Sequence, residues 1–223
     1  MENNTKIKEF LELNKGEFDQ WLVHNDQGRV ELKVLPYLQD IENGVFVEAG
    51  AHDGLFQSNT KILEDLGWTG LLIEPSKSVY EQCKINRTSF VENCALVSFD
   101  YQNPLISGNF DGTPRSVVNP NSNIVSNART LDSLLTEKNI KHVDFLSLDV
   151  EGYEIEVLKG INFDTTTFGF MLIEVNSDSY TLEFLENFLL EKGYKNIKNI
   201  SNFRFDNTPG WPGNHQDYLF VKI

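Results

Sequence analysis

Short apolar runs alternate with amphipathic stretches along most of the chain, and that alternation sets the expected fold. Val45-Phe46-Val47 and Leu71-Leu72-Ile73 are unbroken apolar triplets, the pattern of strands covered on both faces of a parallel sheet. Between them Ile62, Leu63 and Leu66 recur at helical spacing, and Gly67 stands where that helix would stop. Pro75 and Ser76 suit a second helix start, with Val79, Tyr80 and Cys83 as its apolar stripe. Residues 90–97 predict a third strand, residues 143–148 a fourth and residues 170–173 a fifth. Ile155 and Leu158 mark a helix after the fourth strand, over about residues 153–159 and closed by Gly160. Leu182, Leu185, Phe188 and Leu189 mark a stronger one after the fifth, closed by Gly193. The last two runs, residues 195–205 and 218–223, have no helix between them and predict an antiparallel hairpin.

The remaining segments are less periodic. Residues 6–24 carry Ile7, Phe10, Leu11, Leu13, Phe18, Trp21 and Leu22, a partial stripe that predicts one or two short helices. A second short segment covers about residues 30–38 and ends at Pro36 or soon after. Residues 99–127 are rich in Asn, Ser, Gly and Pro, which predicts a functional loop or a small hairpin excursion. Leu131, Leu134 and Leu135 mark a short helix after Thr130. Together these elements predict an α/β protein: a doubly wound, Rossmann-like sheet of seven strands, mostly parallel, with a C-terminal antiparallel hairpin. One domain is expected, with residues 1–43 as a helical segment packed on or lidding the core formed by residues 44–223.

Composition narrows the function. The 223 residues carry a formal net charge of −14, which opposes binding to nucleic-acid phosphates. Cys83 and Cys94 are the only cysteines and form no C-x-x-C pair, so neither a zinc site nor a disulfide framework is indicated. No apolar stretch reaches the length of a membrane span or a signal core, so a cytoplasmic protein is expected.

The chemistry gathers where apolar runs end. Glu48, Glu74, Asp149 and Glu174 each close one, and ligands of open α/β sheets sit beyond those carboxyl ends. After the first run comes Gly50-Ala51-His52-Asp53-Gly54, a turn without the middle glycine of a dinucleotide fingerprint. Acids around it repel a pyrophosphate but suit ribose hydroxyls and a cation. S-adenosylmethionine has a sulfonium, two ribose hydroxyls and no phosphate, and fits this turn better than NAD.

Four stretches, GVFVEAGAHDG, GWTGLLIEPS, RTLDSLL and FLSLDVEGYEIEVLKG, closely resemble the FkbM family of S-adenosylmethionine-dependent methyltransferases. The resemblance spans about residues 45–176, and its most specific part is the D-V-E-G-x-E-x-x-V-L-K-G run. It implies a methyltransferase sheet and methyl transfer to a hydroxyl, most often of a sugar or glycoconjugate. It assigns the cofactor to Glu48, Gly50, His52, Asp53, Gly54 and Ser58 from the first turn. Glu74, Pro75 and Ser76 follow the second strand, with Glu74 on the ribose hydroxyls. Asn93, Cys94 and Ala95 border the adenine, and Asp149 lies near the methyl group. His52 stands where members commonly carry Asn.

A hydroxyl is a weak nucleophile, so transfer needs alignment and removal of its proton. Asp149, Glu151, Glu174 and His215 are the candidate catalytic residues; Glu151 also reads as the first-turn acid of the next helix. His24 and His142 read as structural or surface residues. Among Phe110, Tyr153, Phe203, Phe205, Trp211 and Tyr218, Trp211 is the best candidate platform for a sugar ring. A divalent metal at Asp149 and Glu174 is possible in principle but not expected. Two other functions compete: an NAD-dependent oxidoreductase, against which the missing glycine counts, and a cofactor-binding module without turnover. The expected partner is a small molecule or glycan with a free hydroxyl, not nucleic acid.

Overall fold

The computed structural model describes residues 5–15, 29–113, 116–204 and 210–223. The stripe positions Phe18, Trp21 and Leu22, with His24 and Phe205, lie outside these residues.

The main sheet has seven strands, in the spatial order 90–92, 69–73, 45–49, 142–148, 167–176, 215–222 and 194–199. Its first half comprises β1 (Val45–Ala49), β2 (Thr69–Ile73) and β3 (Phe90–Glu92), all parallel. Its second half comprises β7 (His142–Leu148) and β8 (Thr167–Asn176), parallel to β1, and then β10 (His215–Lys222) and β9 (Tyr194–Asn199). β10 is antiparallel to both its neighbours, so the expected hairpin is present and its last strand wedges between β8 and β9. Chain order reverses between β1 and β7, which are hydrogen-bonded side by side.

Alternating side chains of the central strands feed two cores, as the period of two requires. Val47, Ala49, Leu146 and Leu148 pack with α5 (Leu131–Glu137), α6 (Glu154–Leu158) and α7 (Leu182–Leu190). Phe46, Phe145 and Leu72 point the other way, onto α1 (Lys6–Leu13), α2 (Val30–Leu38) and α3 (Lys61–Asp65). Ile7, Val34, Leu35 and Leu38 are nearly or fully buried there, so the N-terminal helices cover one sheet face. Pro36 lies inside α2, which continues to Leu38. Among the described residues no helix is long and apolar enough to cross a membrane.

Three departures from the sequence pattern have local causes. The run over residues 90–97 is two strands: β3 in the main sheet and β4 (Ala95–Leu96) in a second, three-stranded sheet. Between them the Asn93 side chain donates to Glu74 O at 2.9 Å and Pro75 O at 3.1 Å, which holds the chain against the end of β2. The polar stretch after it contains β5 (Leu105–Ser107), antiparallel to β6 (Val125–Arg129), which is itself parallel to β4. β9 ends at Asn199, whose Oδ1 accepts from Asn202 N at 2.7 Å and turns the chain away.

Candidate active site

A cavity of about 790 Å³, counted to its open mouth, lies at the carboxyl ends of β1, β2 and β7. Its wall starts with the turn after β1. Gly50 (φ 86°), His52 (φ 49°) and Gly54 (φ 80°) are all left-handed there. At Gly50 the need for glycine is steric as well: a Cβ would stand 1.8 Å from Asp149 O, so β1 and β7 meet only because none is present.

Glu74 organises this turn. Its Oε2 accepts from His52 N at 2.9 Å and its Oε1 from Ser76 N at 2.7 Å, while the residue itself lines the cavity. Each carboxylate oxygen has a further lone pair for a ligand hydroxyl. Burial pushes its pKa up, only partly offset by these N–H groups and by His52. His52 Nε2 lies 3.1 Å from Gly112 O, and its ring tilts against Phe56 at 5.6 Å. It thus joins the turn to the loop across the cavity. Ile73, Pro75, Cys94, Ala95, Leu96, Phe110 and Val118 supply the apolar part of the wall, and Tyr153 and Glu151 lie on its rim.

Several expected cofactor residues are occupied elsewhere. Glu48 does not line the cavity. It is 4% exposed and its oxygens accept from Ser58 Oγ (2.8 Å), Thr60 Oγ1 (2.6 Å), Asn59 N (2.7 Å) and Arg87 Nη1 (3.3 Å). Ser58 belongs to the same network and, like Glu48, does not line the cavity. Arg87, which sequence reasoning passed over, is its centre: its side chain is fully buried, with Nε 2.8 Å from Glu64 Oε2. Gly54 backs onto Arg87 and Cys83 rather than the cavity. Asp53 caps the turn through Leu55 N and Phe56 N. Ser76 is fully buried and Asn93 is spent on main-chain carbonyls, so neither side chain reaches the cavity. Gly50, His52, Glu74, Pro75, Cys94, Ala95 and Asp149 do line it. Burial pushes both thiols up to about 12, that of Cys94 in the wall and that of Cys83 outside it, which disfavours the thiolate a nucleophile needs.

The candidate catalytic residues separate in a similar way. Asp149 follows β7 and lines the cavity. Glu151 lines it too, but with φ 58° in the turn before α6, so it is not that helix's first-turn acid. Glu154 holds that position: fully buried, its Oε1 accepts from Val150 N at 2.9 Å and Gly152 N at 3.1 Å. The left-handed Glu151-Gly152 step makes room for this return contact. Glu174, in β8, lies beneath the cavity wall rather than on it, and Tyr180 donates its hydroxyl to Glu174 O. Asp149, Glu154 and Glu174 each bring a carboxylate oxygen within 4.8 Å of the others. Burial raises all three, Glu154 to about 7; the charge of Asp149 raises Glu154 and Glu174 further, while a hydrogen bond with Glu174 works against the rise at Asp149. His215 is not in a loop but begins β10 opposite Asn176, outside the cavity wall. Its ring packs 5.8 Å from Phe203 and 6.4 Å from Trp211, whose Nε1 donates to His215 O at 3.0 Å.

Sheet order, the reversed β10 and a cavity at the β1/β7 switch define a Rossmann-like methyltransferase domain. The methyltransferase domain of bacterial CtHen1-C has this fold: it is 11% identical at a TM-score of 0.50, over 89% of this chain and 99% of its own. A TehB-like SAM-dependent methyltransferase from Corynebacterium glutamicum is 11% identical, with a TM-score of 0.45 over 95% and 97% of the two chains. A putative RNA methyltransferase from Pyrococcus horikoshii is 14% identical, with a TM-score of 0.44 over 86% and 83%. No curated protein matches the sequence. The model of the methyltransferase FkbM domain matches residues 48–195, and the chain belongs to that family.

Proposed function

We propose that this chain is an S-adenosylmethionine-dependent O-methyltransferase acting on a hydroxyl of a sugar or glycoconjugate. The observation that carries the cofactor half is Glu74: an acid at the end of β2, fixed by two main-chain N–H groups, on the cavity wall. Free lone pairs at such a site suit the two hydroxyls of a ribose, and the apolar wall from Cys94 to Leu96 with Phe110 suits an adenine face. The donor set also fits the charge. Glu74 and Asp149 face the cavity from different strands, which favours a sulfonium and disfavours a pyrophosphate.

Glu74 and the apolar wall would hold S-adenosylmethionine, which would supply an electrophilic methyl group and leave as S-adenosylhomocysteine when the carbon–sulfur bond breaks. Asp149, on the cavity wall, would hold an acceptor hydroxyl and take its proton. Burial raises this carboxyl above the ordinary carboxylate range, toward what a general base needs at neutral pH. Alignment of the two reactants in a half-closed cavity supplies several kcal/mol more. The net charge of −14 favours a small or neutral acceptor over a phosphate backbone.

Calorimetric titration with S-adenosylmethionine and S-adenosylhomocysteine tests the cofactor half. Binding of neither, or tighter binding of NADH, would sink the reading. Transfer of labelled methyl to a panel of sugar acceptors tests the other half. A bound cofactor with transfer only to nitrogen or carbon nucleophiles would replace O-methylation.

A further inference from the structure

The acid cluster under the cavity wall has a feature that the general base reading of Asp149 does not use. Glu154 and Glu174 are 0% and 8% exposed, and in each the Oε2 atom is buried without a hydrogen-bond donor. In Glu154 the other oxygen already accepts two main-chain N–H groups, an arrangement that favours the charged form. The Tyr180 hydroxyl beside the cluster donates to the Glu174 main-chain carbonyl and also lies against the Glu154 carboxyl. Among the described residues, no Lys, Arg or His forms a salt bridge with Asp149, Glu154 or Glu174. Buried acceptors left without a donor need a cation or protons.

From this geometry we infer that Asp149, Glu154 and Glu174 form a divalent cation site at the inner end of the cavity. The three oxygens lie within 4.8 Å of one another. Opposite ligands are about 4.2 Å apart around Mg²⁺ and about 4.6–5.2 Å apart around Ca²⁺, so one ion reaches all three with small side-chain adjustments. The donor set is carboxylate alone, which selects a hard cation of the Mg²⁺, Mn²⁺ or Ca²⁺ kind over zinc or copper. Three carboxylates give the site a formal charge of −3, so a divalent ion leaves −1 where the bare cluster would be strongly self-repelling.

The D-V-E-G-x-E spacing explains how one segment builds two sides of the site. Asp149 ends the strand, and the left-handed Glu151-Gly152 turn brings Glu154 back beneath it. β8, hydrogen-bonded to β7, adds Glu174 from the neighbouring strand. Because Asp149 also lines the cavity, the remaining coordination positions of the ion would face an acceptor hydroxyl and polarise it. That role rests on the methyl-transfer reading; cation binding does not.

The test is isothermal titration of MgCl₂, MnCl₂ and CaCl₂ into the full chain after EDTA treatment, with no cofactor present. At least one cation should bind at one site per chain with a Kd between about 10⁻⁵ and 10⁻³ M. Glu154→Gln and, separately, Glu174→Gln should weaken it at least about tenfold. The same ion should raise the wild-type Tm by about 2–8 °C at saturation, a readout that needs no variant to fold. Absence of both heat and Tm shift with all three ions would overturn the site and leave a proton-sharing cluster. Binding unchanged in both Gln variants would overturn it equally, by placing the ion elsewhere. Neither result bears on cofactor binding, which is read in its own titration.

Discussion

Glu74 Oε2 accepts the main-chain N–H of His52 at 2.9 Å, so the acid that ends β2 holds the turn that follows β1. Two features that look independent in the sequence are one device: the turn is shaped by the group that also faces the ligand. Glu74→Ala should therefore do two things. It removes the acceptor for a ribose and strands two N–H groups, each costing about 1–3 kcal/mol. We expect S-adenosylmethionine affinity to fall by about 10- to 100-fold, with a lower Tm, by calorimetry and circular dichroism. Unchanged affinity would remove Glu74 from the ribose site.

Arg87 should matter for stability and not for the chemistry. Its buried guanidinium serves Glu48, Glu64, Gly54 O, Ser58 and Thr60 together. Removing it leaves two buried carboxylates without their cation, a loss of about 3–5 kcal/mol. Arg87→Ala is expected to lower the Tm by roughly 6–20 °C in a thermal melt. Arg87→Lys should recover little of this, since one ammonium cannot reproduce the fork.

Gly50 and Gly193 both have positive φ, 86° and 83°, and make a paired test of close approach. A Cβ at Gly193 meets nothing within 4 Å, so Gly193→Ala pays only the left-handed cost of about 1–2 kcal/mol. A Cβ at Gly50 collides with Asp149 O and must part β1 from β7. Gly50→Ala should melt well below Gly193→Ala, by more than about 5 °C, and should lose methyl transfer because Asp149 moves. Equal melting temperatures would refute the packing account.

How much of this was legible beforehand follows from what each residue depends on. The central strands and the helix stops at Gly67, Gly160 and Gly193 follow from local patterns, and so did the switch-point location. Partner choice was not local. Glu48 and Glu74 close their runs alike, yet one faces Arg87 and the other the cavity, because α4 (Lys77–Asn86) brings Arg87 to one of them only. Glu154 went unremarked although D-V-E-G-x-E contains it, because its role depends on a left-handed step at Glu151. His215 was misplaced for a similar reason: the strand begins earlier than its apolar residues do, through pairing with β8. The small sheet was hidden because β4 has two residues and β5 three, too short for any period to register.

Glu64 gives the clearest pH signature. Burial alone would raise its carboxyl, but hydrogen bonds from Ser89 and Arg87 and the charge of Arg87 hold it at about 2, below its ordinary value of 4.5. The folded state therefore releases this proton more readily than the unfolded one. Its contribution is complete above pH 4.5 and is lost as the pH falls through about 2. In that window stability should rise with pH, because the unfolded chain binds the extra proton. Raised acids such as Glu74 slope the other way at higher pH, so the wild-type curve alone does not isolate the effect. Subtracting the curve of Glu64→Gln does. Urea unfolding of both proteins at several pH values between 2 and 6 should show their difference shrinking toward low pH. A difference that stays constant across the range would mean that Glu64 is not held down by Arg87, and the ion-pair account of this corner of the fold would fail with it.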